Sequence, residues 1–485
     1  MSKEGKRHSS NASSASNASM AYSQSDDAGV RALGYVPELS RNRSLFTLTF
    51  QLLAMTAIPY GEGAPLINAI YGGGQLTIFV GWIANQSRST VAVVLSYISG
   101  WLMLLSNWIV CLSINFGFAS ILSAVITLHT DGLQLQPWHQ LLIFYALCLV
   151  SLAIVILWNK FLPTLDTIAT VWNLATLIIF LIALSASAKS GRQSTSHALG
   201  YYDDSLSGWG GFSFFIGMLP PAYTFCAIGL ICSMAEEVDK PAIKVPTAMS
   251  IIIPISTIAG LMFILPICVT MPPLEEILLA PGGQALPYII YHVMSTAAGS
   301  AALNALLLIT VFFCSTAVTV PASRYTYAFA RDNAMPGAAL WSKIHPNLGV
   351  PVNALYLMTA FQMLLGLISL GSSTAFTAFV SMTTIALQVS YGIPIAISMW
   401  YRRSNVKQAQ WKLPNIVGWI VNTIAIIWIS FECVLFSMPV TMAISNPEEM
   451  NYASVVLIGL GILVTVWYLL HARKVFQGPP TYNSI

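Results

Sequence analysis

Stretches of about twenty consecutive apolar residues recur along almost the whole of this chain, and such stretches match the ~30 Å hydrocarbon layer of a bilayer. Residues 247–270, 352–370 and 452–470 are clear examples. In hydrocarbon every backbone N–H and C=O must be bonded internally, so a chain of this kind is predicted to be an all-α integral membrane protein. Its 485 residues are 56% hydrophobic and only 8% charged, whereas soluble domains carry about 25% charged residues. The net charge of +3 comes from residues in tails and loops. No basic stripe is available for nucleic acid, and none is expected as a partner. The seven cysteines (Cys111, Cys148, Cys226, Cys232, Cys268, Cys314, Cys433) fall singly inside apolar stretches without metal or disulfide spacing, as packing residues do.

Residues 1–43 form a Ser/Asn-rich tail with no apolar core and cleavage site of the secretory kind, so the first span is expected to serve as the membrane address. A transmembrane domain over 44–472 follows, then a short tail over 473–485. Lys and Arg gather on alternate connections: the N-tail, Lys160, Lys240 with Lys244, Arg331 with Lys343, 402–412, and Arg473 with Lys474. Cytoplasmic loops carry this excess, which predicts both termini in the cytoplasm and an even number of spans. Counted from the C-terminus, spans lie near 452–470, 414–437, 375–400, 352–370, 301–330, 247–270, 211–234, 166–188, 139–158 and 91–127. The segment 288–294 reads as a surface or re-entrant piece, with the next true span beginning at Gly299 and Ser300. A first span over 45–70 then needs a descending helix after it. Only 76–84 is available, and those residues cover roughly 14 Å of the ~30 Å core. As written, the chain holds about 11 full spans.

Two spans are interrupted in matching positions. One carries Pro59, Tyr60, Gly61, Glu62, Gly63, Ala64 and Pro65; the other carries Gly217, Pro220, Pro221, Ala222, Tyr223 and Thr224, with Gly229 beyond. Counting the shortened stretch as a helix makes them spans one and six, the spacing of a five-plus-five inverted repeat. In such transporters unwound backbone at the midplane contacts the ligand. Exposed N–H groups at a half-helix N-terminus favour a carboxylate, and exposed carbonyls favour an ammonium or a coupling cation. The faces of Tyr60, Tyr223 and Phe225 offer cation–π attraction to an amine. The competing reading is a pair of ordinary proline kinks.

Glu62 is the acidic residue nearest the middle of a span. It either balances a substrate ammonium or carries a coupling proton, or it opens onto a solvated vestibule. Asn107, Cys111 and Asn115 recur every four residues on one helical face, as do Ser315, Thr319 and Ser323. Each face either lines a substrate or ion path or packs helices together with its hydroxyls bonded back to the backbone. Glu432, within two turns of an outer helix end, is expected to reach the interface, and the run Ala235, Glu236, Glu237, Val238, Asp239, Lys240 to be a solvated charge cluster. No histidine pair has metal spacing and no nucleophile motif stands in context, so neither an enzyme, a metal nor a cofactor is predicted.

From residue 33 onward the chain resembles the amino acid–polyamine–organocation transporters, and among them the fungal choline, 4-aminobutyrate and amino acid permeases. The resemblance lies in LGYVPELSRNRSLF, in GWGGFSFFIGMLPPAYTF running into SMAEEVDKPAIKVP, in TVPASRYTYAFARDNAMP and in NYASVVLIGLGILVTVWYLLHARKVF. It implies twelve spans, five-plus-five with two extra C-terminal helices, and uptake of amino acids or choline, usually with protons. It also implies substrate contacts from Gly61 to Ala64 and from Tyr223 to Ala227. Three departures stand out. After Gly81, Trp82 and Ile83 roughly thirty residues are absent, about one ~20-residue helix and its loop. Residues 165–188 lack the lysine that some proton-driven relatives carry. Glu62 stands where the family pattern has a small or apolar residue.

The expected function is therefore a plasma-membrane symporter of choline or amino acids and amines, coupled to protons or sodium and working by alternating access. The substrate-binding candidates are Tyr60, Gly61, Glu62, Gly63, Ala64, Asn107, Tyr223, Thr224, Phe225, Cys226 and Ala227. The coupling-ion candidates are Glu62, Ser315 and Thr319. The alternative is a non-transporting nutrient receptor or inactive splice variant of such a permease.

Overall fold

An α-helix satisfies its own backbone in hydrocarbon, and in the computed structural model the described residues are almost wholly helical. They comprise 43–57, 93–130, 133, 135–188, 192–238, 240–371, 375–400, 402–403, 413–442 and 450–476. The long helices are α1 (Leu45–Thr56), α2 (Val93–His129), α3 (Pro137–Leu157) and α4 (Leu162–Ser187). After a broken segment containing α5 (Leu219–Cys226) come α6 (Pro241–Thr270), α7 (Ala285–Val293), α8 (Ala297–Arg331), α9 (Val352–Gly366), α10 (Ala375–Trp400), α11 (Asn415–Leu435) and α12 (Ala453–Trp467). Among the described residues, ten helical stretches are long and apolar enough to cross a membrane, and α1 is a shorter apolar helix. The question of the shortened second span falls on residues outside the described ones.

Spans expected from hydropathy coincide with these helices to within a few residues. The largest displacement is at α6, which starts at Pro241 because proline suits the first turn, where no intrahelical N–H is needed. The segment read as surface or re-entrant is helix α7. It does not lie open: Ile289, Ile290 and Val293 are fully buried, and it packs on α2 and α8. The span after it begins at Ala297 rather than Gly299, because the Thr296 hydroxyl accepts the Gly299 N–H (3.1 Å) as an N-cap.

Packing partners repeat between the two halves. α1 packs on α4, and α5 packs on α10; α2 packs on α3, and α8 on α9; α2 packs on α10, and α8 on α4. The shared pair α2 and α8 lies at the centre. This pairing is what the five-plus-five repeat requires, with α11 and α12 outside it. α12 is the least buried of the described spans, with Ala453 its one buried residue.

Helices in lipid gain little from hydrophobic burial against each other and associate through close packing and hydrogen bonds. Gly100 on α2 illustrates the first. A Cβ there would lie 2.5 Å from Cε2 of Phe329 on α8. That ring has no room to yield, being stacked on Tyr325 (5.9 Å) and met edge-on by Trp101 (5.6 Å). Gly100→Leu is expected to cost about 1–3 kcal/mol by overpacking. The check is a lower Tm of the detergent-purified protein; an unchanged Tm would show the interface to be looser than this.

Candidate functional site

Residues 213–237 form a span that is helical in pieces: Ser213–Ile216, then α5, then a 3-10 run Ala227–Glu237. Pro220 and Pro221 sit in the first turn of α5, so the chain cannot bond continuously through Gly217 and Met218. A run of eleven 3-10 residues is long for that geometry, a sign of a functional hinge or local strain. All of α5 is buried, and it packs against α10.

The Tyr223 hydroxyl meets the Ser113 hydroxyl of α2 at 2.7 Å, and Ser113 also reaches the Val110 carbonyl at 2.9 Å. The Thr224 hydroxyl donates to the Pro220 carbonyl (2.9 Å), the Cys226 thiol to the Tyr223 carbonyl (3.0 Å), and the Tyr391 hydroxyl of α10 to the Cys226 carbonyl (3.1 Å). Phe225 and Ala227 are buried beside them. The anchoring chemistry differs between the two ends of α5. Its N-terminus loses two of the orphan N–H groups that would cradle a carboxylate, because both are prolines. Its C-terminal end turns carbonyls towards donors, the Tyr223 carbonyl accepting the Cys226 thiol and the Cys226 carbonyl the Tyr391 hydroxyl.

Tyr60, Gly61, Glu62, Gly63 and Ala64 lie outside the described residues. Asn107 is fully buried, its Nδ2 donating to the Met103 carbonyl at 2.6 Å. Asn115 and Ser315 are brought together: Ser315 Oγ donates to Asn115 Oδ1 (2.5 Å) and contacts Ser151 Oγ of α3 (2.7 Å). Asn115 Nδ2 donates to Gln362 Oε1 of α9 (3.1 Å), so four helices are tied at one point. Thr319 donates back to the Ser315 carbonyl (2.7 Å) and Ser323 to the Val320 carbonyl (2.7 Å). These bonds tie helices or return to the backbone, the pattern of the packing reading. Ser113 was missed by sequence reasoning. Its signal was the spacing of Ser106, Ser113 and Ser120, seven apart and all buried.

At the end where the chain enters α1, the supposed solvated cluster is instead the centre of a buried ionic network. Glu237 accepts from Arg43 Nε (3.2 Å) and from Arg324 Nε of α8 (2.6 Å). Arg43 Nη1 reaches Asp166 of α4 (3.0 Å) and Gln51 of α1 (2.8 Å), and Arg324 Nη2 reaches Asn159 (2.9 Å). Arg43, assigned by sequence to the tail, is 4% exposed, and its N–H also donates to the Glu237 carbonyl at 3.2 Å. Two positive and two negative charges cancel, which is the condition for burying them at all. Glu236 pairs with Arg331 (2.5 Å) beside it in a partly exposed position.

A buried, broken span with a neutral, buried charge network at one end, in an all-helical chain with many apolar spans, fits an inverted-repeat permease. Residues 79–462 match the family model described as amino acid permease. The chain belongs to that family. An amino-acid permease of Arabidopsis thaliana is 27% identical over 93% of this chain and 95% of its own length. A polyamine transporter of Saccharomyces cerevisiae is 27% identical over 82% of this chain and 65% of its own length. A choline transporter of the same yeast is 27% identical over 70% and 60% respectively. The permease is thus a multi-pass membrane protein of a transporter family, not of an enzyme family.

Proposed function

We propose that this permease is a secondary active symporter that carries an amino acid, choline or a related amine across the plasma membrane, with both termini in the cytoplasm. The observation that carries this reading is the broken span, buried and packed on α10, with Tyr223 held on Ser113 of α2. Substrate binds there and against the counterpart break at Gly61 to Ala64, its amino group towards the carbonyl-rich end of α5. Protons drive uptake, with sodium the other candidate ion. Alternating access requires the Arg43–Glu237–Arg324–Asp166 network to close the cytoplasmic end in this state and to part when the site faces inward. Relatives named as permeases and transporters of amino acids, polyamines and choline support carriage over the non-transporting receptor reading.

The test is uptake of labelled 4-aminobutyrate, choline, spermidine and a panel of amino acids by cells expressing the chain, against vector controls. Concentrative uptake of one of them is the expected result; binding without flux would make it a receptor. In the same assay Glu62→Gln is expected to abolish uptake while surface expression stays normal. Unchanged kinetics would remove Glu62 from the site.

A further inference from the structure

The residue expected to reach the interface does not do so. Glu432 on α11 is 0% exposed; among the described residues neither carboxyl oxygen meets a donor at good hydrogen-bond geometry, and the donor that approaches it is the Trp428 indole of the same helix. The burial follows from the helix faces. Ile416, Ile420, Ile424 and Ile427 point outward, while Gly418, Asn422, Ala425, Ile429 and Glu432 form the inward stripe at spacings of three and four. One turn before Glu432, α10 and α11 approach closely: a Cβ on Gly392 would stand 3.3 Å from Cγ2 of Ile429. Phe431 locks the same turn against Phe215 of the broken span, ring centroids 5.1 Å apart.

Three elements bring polar groups to this turn. From the broken span it is the Cys226 thiol, within electrostatic reach of Glu432 at the point where α5 gives way to the 3-10 run. From α10 come the Thr384 hydroxyl, close to that thiol, and the Tyr391 hydroxyl on the Cys226 carbonyl. α11 itself supplies the Trp428 indole one turn back and the adjacent Cys433. No Lys, Arg or His among the described residues acts on it. An ionised carboxylate cannot be kept in such a place without a cation, whereas a protonated one can.

We propose that Glu432 is a proton-binding site of this permease, loaded in the present conformation and emptied when the break in the sixth span moves away from α11. The inference rests on the reading of the chain as a symporter with its site at that break. The proton binds a carboxylate oxygen and leaves to water once the carboxyl is exposed, with no other bond made or broken. Because Cys226 and its carbonyl sit on the hinge, a change of the 3-10 run changes the surroundings of Glu432 directly.

The experiment uses the full chain, purified and reconstituted in liposomes, as wild type and as Glu432→Gln, which has nearly the shape of the protonated acid. Monodispersity and Tm report whether the variant folds. Difference infrared spectroscopy at neutral pH is expected to show a protonated carboxylic C=O band in wild type that Glu432→Gln lacks; equal bands in the two proteins would overturn proton occupancy. An inward gradient of one pH unit is expected to concentrate 4-aminobutyrate, choline or spermidine about tenfold in wild type. In Glu432→Gln that accumulation should vanish and the uptake rate lose its dependence on pH. Accumulation of the same size in the variant would overturn the coupling role, as would accumulation in wild type driven by sodium alone. A wild type that carries the band but moves none of these compounds overturns the symporter reading and the coupling role with it, leaving only the protonated residue.

Discussion

Glu237→Ala is expected to be the most damaging single change to stability, costing about 3–5 kcal/mol, because it leaves two buried guanidinium groups facing each other without their shared anion. Arg43 would keep Asp166 and Gln51, but Arg324 would keep only Asn159 and Ser323. The measurement is the Tm of the purified protein, together with the amount that reaches the membrane. Glu237→Ala/Arg324→Ala should cost less than the sum of the two single changes by at least about 1 kcal/mol, since the second removal relieves the unpaired charge left by the first. Strict additivity would mean that the network contributes little as a unit. The same network ties the entry to α1, the end of the 3-10 run, α4 and α8. A permease with it broken is expected to spend more time open at that end.

The second large effect is expected at Tyr223. Its ring is buried within the broken span and its hydroxyl ties α5 to α2, at 2.7 Å from the Ser113 hydroxyl. Tyr223→Ala should lower the uptake kcat/KM by about 100-fold, equivalent to about 2.8 kcal/mol. Tyr223→Phe removes only the hydroxyl and leaves Ser113 its bond to the Val110 carbonyl. It should cost about 0.5–1.5 kcal/mol. Equal kinetics for wild type and Tyr223→Ala, at matched surface expression, would place the substrate elsewhere.

The break at Gly217, Pro220 and Pro221 was readable because proline acts on its own backbone: wherever it stands, one N–H is missing. The polar faces of α2 and α8 were readable as faces, yet their meaning was not. Asn115 and Ser315 lie 200 positions apart in the chain and meet only after both helices pack at the centre. Glu237 looked like part of a solvated loop for the same reason, its partners Arg43 and Arg324 standing 194 and 87 positions away. Glu432 carried a local signal, the inward stripe of α11. Its nearness to a helix end pointed the other way, and what settled its burial was the approach of α10 and of Phe215.

Whether a stretch enters the bilayer depends on the transfer free energy of its own residues, a sum over about twenty neighbours. The class of the protein, the positions of the described spans and the site of the break in the sixth were for that reason determined by the sequence alone. Which charges cancel, which hydroxyls meet across helices and which carboxyl is left without a cation depend on distances between residues far apart in the chain. Those were decided only by the tertiary structure, because electrostatic and hydrogen-bond energies act over a few ångströms in space and take no account of position along the chain.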